Sequence, residues 1–210
     1  GPLDNNRETK IYTIPPGGLY IKSGGSIKTW TTDATEYNIH INGNGQASIF
    51  IETGGYINVS APARYPLGIM NINNMVSVSG GGGIVRPEGS VLPVSGQGAG
   101  SYRKVFLWEI GSVDLDTIDL SGEDCRTGHL IVRCTGHFAT QNILTRDKSP
   151  GGNPGAPVEI YAASIRVGNI DTSSVRDLRA SGDILLQALR NDYYGDPGST
   201  LNTLNNAIVV

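Results

Sequence analysis

Ser112-Val113-Asp114-Leu115-Asp116-Thr117-Ile118 is followed by two stretches that align with it. His137-Phe138-Ala139-Thr140-Gln141-Asn142-Ile143 stands 25 residues further on, and Ser164-Ile165-Arg166-Val167-Gly168-Asn169-Ile170 another 27. Val113, Phe138 and Ile165 then share a position, as do Ile118, Ile143 and Ile170. A period of this size marks a repeat architecture. Within each stretch apolar and polar residues alternate, as in a strand with one buried face. Stacking such strands sets equivalent apolar positions one above another and builds one continuous core. The expected fold is therefore all-β: a parallel β-helix, or β-solenoid, with coils of about 25 residues and inserted loops.

Working outward, each unit is preceded by a further apolar strand, at residues 106–110, 130–134 and 158–162. A fourth, Ile184-Leu185-Leu186-Gln187-Ala188, follows a turn at Ser181-Gly182-Asp183. Residues 184–189 also contain fair helix formers, so a short helix is the rival there. The first half repeats more loosely. Gly24-Gly25-Ser26-Ile27-Lys28-Thr29-Trp30 is echoed by Gly54-Gly55-Tyr56-Ile57-Asn58-Val59-Ser60, each after a strand at 19–22 or 48–52. A strand, two glycines and a strand also describe a hairpin. Tandem recurrence favours a solenoid corner instead. Glycine-rich runs at 80–100 and 149–155 read as surface excursions from a coil. Gly1-Pro2-Leu3 reads as the scar of a cleaved tag. Residues 4–210 form one solenoid domain, with irregular coils over 10–100 and regular coils over 104–210. The apolar end Ala207-Ile208-Val209-Val210 calls for a neighbouring solenoid domain or subunit, because solenoid ends need caps. A piece of a longer chain is expected.

Composition agrees. Glycine supplies 29 of 210 residues, roughly twice average usage, and charged residues only 17%. Asn-Gly pairs such as Asn42-Gly43-Asn44-Gly45 suit tight turns between short strands. The net charge of −3 comes with scattered basic residues, so the Lys/Arg stripe of a nucleic-acid binder is missing. No apolar run approaches the ~18 residues of a membrane span. Cys125 and Cys134 flank a strand-like run, which holds them too far apart for a disulfide. Two free thiols are expected, with Cys134 the more buried.

Gly168-Asn169-Ile170-Asp171-Thr172-Ser173-Ser174, followed by Ser181-Gly182-Asp183-Ile184-Leu185-Leu186, resembles the repeats of filamentous-haemagglutinin-type bacterial exoproteins. Those repeats run as a GNI-TSS … GDI-L-A pattern. The likeness covers about one coil closely and the others by pattern. It implies a right-handed β-helix, secretion and adhesive surface work, and it carries no catalytic residues. The family's amino-terminal secretion motif is not visible here.

Two clusters invite a chemical role. Asp114, Asp116 and Asp119, with Val113 and Leu115 turned inward, put carboxylates on an outer face about 7 Å apart along the strand. Polysaccharide lyases and hydrolases use such pairs for acid/base work or Ca²⁺ binding. A solvated face that discourages edge pairing is the weightier explanation of the same residues. Asp192-Tyr193-Tyr194-Gly195-Asp196-Pro197-Gly198 reads as an exposed loop in which two tyrosines and two carboxylates could meet a glycan or protein ligand. An ordinary turn competes with that. Trp30 and Trp108 read as core or corner packing. Cys125, His129, Cys134 and His137 are zinc-ligand types, but an intervening strand separates the pairs and no finger spacing fits, so no metal is expected. No G-x-S-x-G is present, and residues 80–83 lack the trailing Lys-Ser/Thr of a phosphate-binding loop.

The expected function is a secreted or cell-surface structural or adhesive domain that binds glycan or protein ligands, without a cofactor. A polysaccharide lyase or hydrolase using Asp114, Asp116 and Asp119 is the alternative. A phage fibre segment is the third, and would form a stable trimer.

Overall fold

The computed structural model describes residues 9–28, 38–59, 69–85, 103–122, 128–148, 155–174, 181–202 and 208–209. These residues hold thirteen strands and no helix, and every strand pairing among them is parallel. Strand β1 is Thr9–Thr13, β2 Leu19–Ile21, β3 Ser26–Lys28, β4 Asn38–Ile51, β5 Tyr56–Asn58 and β6 Ile69–Val85. Then come β7 Arg103–Ile110, β8 Ser112–Asp119, β9 Gly128–Cys134 and β10 His137–Leu144. The last are β11 Val158–Asp171, β12 Ile184–Asn202 and β13 Ile208–Val209. The chain is a parallel β-solenoid with coils of about 28 residues.

Each coil passes through three faces, and each face contributes an inward column. On the first face Ile41, Ile72, Leu107, Val132, Ile160 and Leu186 stack in register, all buried. On the second, Ile49, Val78, Val113, Phe138 and Ile165 stack likewise. On the third, six successive positions are isoleucine: Ile27, Ile57, Ile84, Ile118, Ile143 and Ile170. Branching at Cβ suits these positions, because the side chain loses little further freedom when it packs on a pleated surface. Each fully buried member contributes about 1.5–3 kcal/mol. The register reproduces the sequence repeat residue for residue: Val113 with Phe138 with Ile165, and Ile118 with Ile143 with Ile170.

Corners follow from local chemistry. Between the first and second faces Asn44, Asn74 and Glu109 take positive φ, at 54°, 51° and 55°. Asn tolerates that region; Glu does so rarely. Glu109 is the extra residue between the pairs Trp108–Arg133 and Ile110–Cys134, so it forms a bulge that turns the strand. Between the second and third faces lie the glycine pairs at 24–25 and 54–55. Gly25 and Gly55 donate back to Lys22 and Glu52, and the two turns stack through Gly24 N–H to Gly54 O at 2.9 Å. Parallel pairing of β2 with β4 and β3 with β5 makes these corners and rules out the hairpin. After the third face the Asp119 and Asp171 carboxylates accept from the backbone N–H two residues on, at 3.0 and 2.9 Å. Beneath them Thr145 and Thr172 are buried, and each hydroxyl donates to a carbonyl, of Ala156 and Gly182.

Three sequence expectations need correction, while the strand expected at residues 184–188 is present at the start of β12 in place of the rival helix. Residues 80–83 are not a loop; they continue β6 and pair with β5 and β8. Glycine is needed there because neighbouring coils approach too closely for a side chain. Residues 192–195 also lie in β12, paired with Ser164, Ile165, Arg166 and Val167, where an exposed loop was expected. Parallel pairing with β11 accounts for this, and residues 196–199 make the register shift opposite Gly168. Trp108, expected as core or corner packing, is not core: the alternation of β7 buries Leu107 and turns Trp108 outward beside the corner at Glu109. Trp30 and Cys125, the loops over 86–102 and 149–154, and Ala207 and Val210 of the apolar end lie outside the described residues.

Outside the first face, Trp108, Arg133 and Tyr161 occupy one column, with the guanidinium 4.4 Å from the indole centre and 5.0 Å from the phenol ring. This cation–π ladder ties three coils together. Beside it His129 Nε2 meets Glu159 Oε1 at 3.0 Å, with Lys104 near. Burial holds the His129 imidazole below its ordinary value, outweighing the attraction of Glu159, with Lys104 adding a smaller push the same way. The unfolded chain therefore protonates first as pH falls. The associated stability is complete above about pH 6.5 and is lost as pH drops through the lower folded value. Thermal melts between about pH 7 and 5 should show this loss, and His129→Gln should flatten that part of the profile.

Candidate groove on the second face

The outward positions of the second face form a column across successive coils: Tyr20, Phe50, Ser79, Asp114, Ala139 and Arg166. At about 4.8 Å per coil, Phe50 and Arg166 are about 19 Å apart along the solenoid. The column changes character along its length. Tyr20 and Phe50 stack with ring centres 5.1 Å apart and are 55% and 40% exposed. The Tyr20 hydroxyl donates to Glu52, whose other carboxylate oxygen accepts from Ser23 N–H at 2.8 Å. These bonds hold the Glu52 carboxyl below its ordinary value, and the same bond pushes the Tyr20 phenol up. The aromatic pair is thus tethered at its outer rim.

Next to the rings the side chains shrink. Ser79, Gly80, Gly81 and Ala139 leave a trough between Phe50 and Arg166, with a volume of about 560 Å³, open to solvent. Asp114, Asp116, Gln141 and Arg166 border it and are all exposed. Asp116 sits at the corner to the third face, and Thr117 Oγ1 donates to its Oδ2 at 2.8 Å. The Thr140 hydroxyl, buried behind it, lies 3.2 Å from both the Asp116 and Asn142 carbonyl oxygens. Its single proton can bridge this corner and hold the backbone that carries Asp116.

The chain matches no protein-family model, no curated protein and no solved structure.

Of the sequence candidates, Asp114 and Asp116 border the groove together, on the outer face as their alternation with Val113 and Leu115 requires. Asp119 does not join them; its carboxylate is committed to the turn at Ser121. Asp192, Tyr193 and Tyr194 lie one coil beyond Ser164, Ile165 and Arg166 in register, while Asp196 falls in the register shift. Cys134 and His129 point to opposite sides of β9. The Cys134 thiol is buried against the carbonyls of Gly136 and His137, and burial pushes it up to about 12.

Arg166, Gln141 and the Tyr20–Phe50 platform carry no functional assignment from sequence. Arg166 was within reach, because the repeat itself aligns Asp114, Ala139 and Arg166. Phe50 was not: the first-half coils match the later ones too loosely to place it in that column.

Proposed function

We propose that this solenoid is a surface-type binding module that holds a glycan chain along the second face, with its groove as the site. The observation that carries this is one trough bordered by a stacked aromatic platform, two carboxylates, an amide and a guanidinium. Aromatic faces cover the apolar faces of sugar rings, while carboxylate and amide oxygens accept from ring hydroxyls. An elongated, rigid scaffold suits repetitive ligands, since each coil offers the same spacing. The partial likeness to filamentous-haemagglutinin-type repeats supports an extracellular adhesive setting, with neighbouring solenoid domains or a surface protein as further partners.

Glycan cleavage is the second reading, favoured by the pairing of Asp114 and Asp116. Both border the same trough, and glycoside hydrolysis uses a pair of carboxylates flanking the scissile bond. Against it, the groove is open, and electrostatic catalysis gains most where water is excluded.

A glycan array and a polysaccharide-degradation screen on one purified sample separate the two. Binding without cleavage is expected, weakened about tenfold by Asp116→Asn, as for loss of one charge-assisted hydrogen bond. Cleavage abolished by the same substitution would establish the second reading. Neither binding nor cleavage would overturn both.

A further inference from the structure

We infer that the first face carries a second site, independent of the groove, at which Arg133 receives a carboxylate from an extended segment of a protein partner. Large apolar side chains single this face out. In the regular coils the outward positions of the second face include Asp114, Ala139 and Arg166, and those of the third Thr117, Asn142 and Asn169. On the first face the outward positions hold Phe106 and Trp108 in one coil and Ile131 and Arg133 in the next, with Tyr161 beyond Arg133. Phe106 and Trp108 meet edge to face, with ring centres 6.0 Å apart. A solvated face needs no such residues, and contiguous apolar surface marks a place of contact. Trp, Tyr and Arg are also the side chains that dominate the binding energy of protein interfaces.

Charge selects the partner. Arg133 is exposed, and among the described residues its guanidinium makes no ion pair and no side-chain hydrogen bond. Its contacts are with the two rings, at 4.4 and 5.0 Å. Glu159, on the same face, is turned to His129, 3.0 Å away. A cation–π contact ties none of the five N–H donors to an oxygen, so the planar fork stays whole for a carboxylate. The rings also hold the side chain in place, which lowers the ordering cost of binding. Spacing then selects an extended segment. Ile131 and Arg133 stand two residues apart on one strand, about 6.6 Å, which is the repeat along one face of any extended chain. A segment laid along β9 sets its carboxylate opposite Arg133 and, two residues away, an apolar side chain over Ile131 and Phe106. An acidic glycan offers the carboxylate without that side chain.

The test follows Trp108 fluorescence in the whole chain carrying Trp30→Phe, since these are its two tryptophans. The probes are blocked peptides of equal length, alternating Val and Glu, Val and Gln, or Ser and Glu, together with an oligogalacturonate. The Val-Glu peptide should bind about tenfold tighter than either other peptide, as for loss of one charge-assisted hydrogen bond or of one buried apolar side chain. Arg133→Gln should erase its advantage over Val-Gln, and Arg133→Lys, which keeps the charge but not the fork, should recover only part of it. Ile131→Ser should erase its advantage over Ser-Glu. Equal binding of Val-Glu and Val-Gln, or no binding of either, would overturn the inference, as would tighter binding of the oligogalacturonate. If Arg133→Gln lowers the melting temperature but leaves Val-Glu binding unchanged, the ladder is structural only and the site is refuted. The comparison of probes on the Trp30→Phe chain decides even where a further variant does not fold.

Discussion

Phe138→Ala is expected to cost about 3–5 kcal/mol. Phe138 is fully buried, and it sits in the inward column of the second face between Val113 and Ile165. Removing the ring deletes its transfer free energy and leaves a cavity that two stacked, parallel-paired coils cannot close without shifting register. In a solenoid each coil contacts only its neighbours, so the loss concentrates on the interfaces of β10 with β8 and β11. At about 2–4 °C per kcal/mol for a chain of this size, the melting temperature should fall by about 10 °C. Phe50→Ala is the control, since Phe50 is outward and 40% exposed. Its cost should stay below about 1 kcal/mol. Equal losses in the two variants would show that the inward and outward columns are wrongly assigned.

Gly80→Ala should be comparably damaging, by about 3 kcal/mol or more. Gly80 has φ 129°, and a Cβ there would come within 2.0 Å of the Ile51 carbonyl oxygen. That atom is backbone in the adjacent coil, so relief requires the coils to part. Gly45 separates the two contributions: its φ is 70°, but nothing lies within 4 Å of its added Cβ. Gly45→Ala should cost only the left-handed penalty of about 1–2 kcal/mol. Chemical denaturation of the three proteins measures both terms. If Gly80→Ala costs no more than Gly45→Ala, the close approach of coils at the groove floor is refuted. The same substitution should also disturb the groove, because Gly80 lines it.

How far the site could be read from the sequence varies from residue to residue. Asp114 and Asp116 were legible because period-2 alternation assigns faces without knowledge of any partner. Asp119 misled, since the same alternation does not distinguish a carboxylate that faces solvent from one folded back onto Ser121 N–H. Residues 80–83 misled for a different reason. Four glycines look like a loop by composition, yet here they make a strand packed too tightly for side chains. Trp108 shows the limit of hydrophobicity alone: a large apolar residue stands outside, where Arg133 of the next coil lies over its ring.

By itself the sequence determined the all-β solenoid and, in the regular half, the coil-to-coil register and inward columns of the second and third faces, because these depend on periods of two residues and of one coil. The place of Phe50 in the groove was decided by tertiary structure alone. The repeat aligns Asp114 with Arg166, but only the stacking of irregular coils of unequal length brings Phe50 into their column. Where loops of different size separate the strands, local spacing no longer states which residues meet. The parallel pairing of each coil on the next decides it instead.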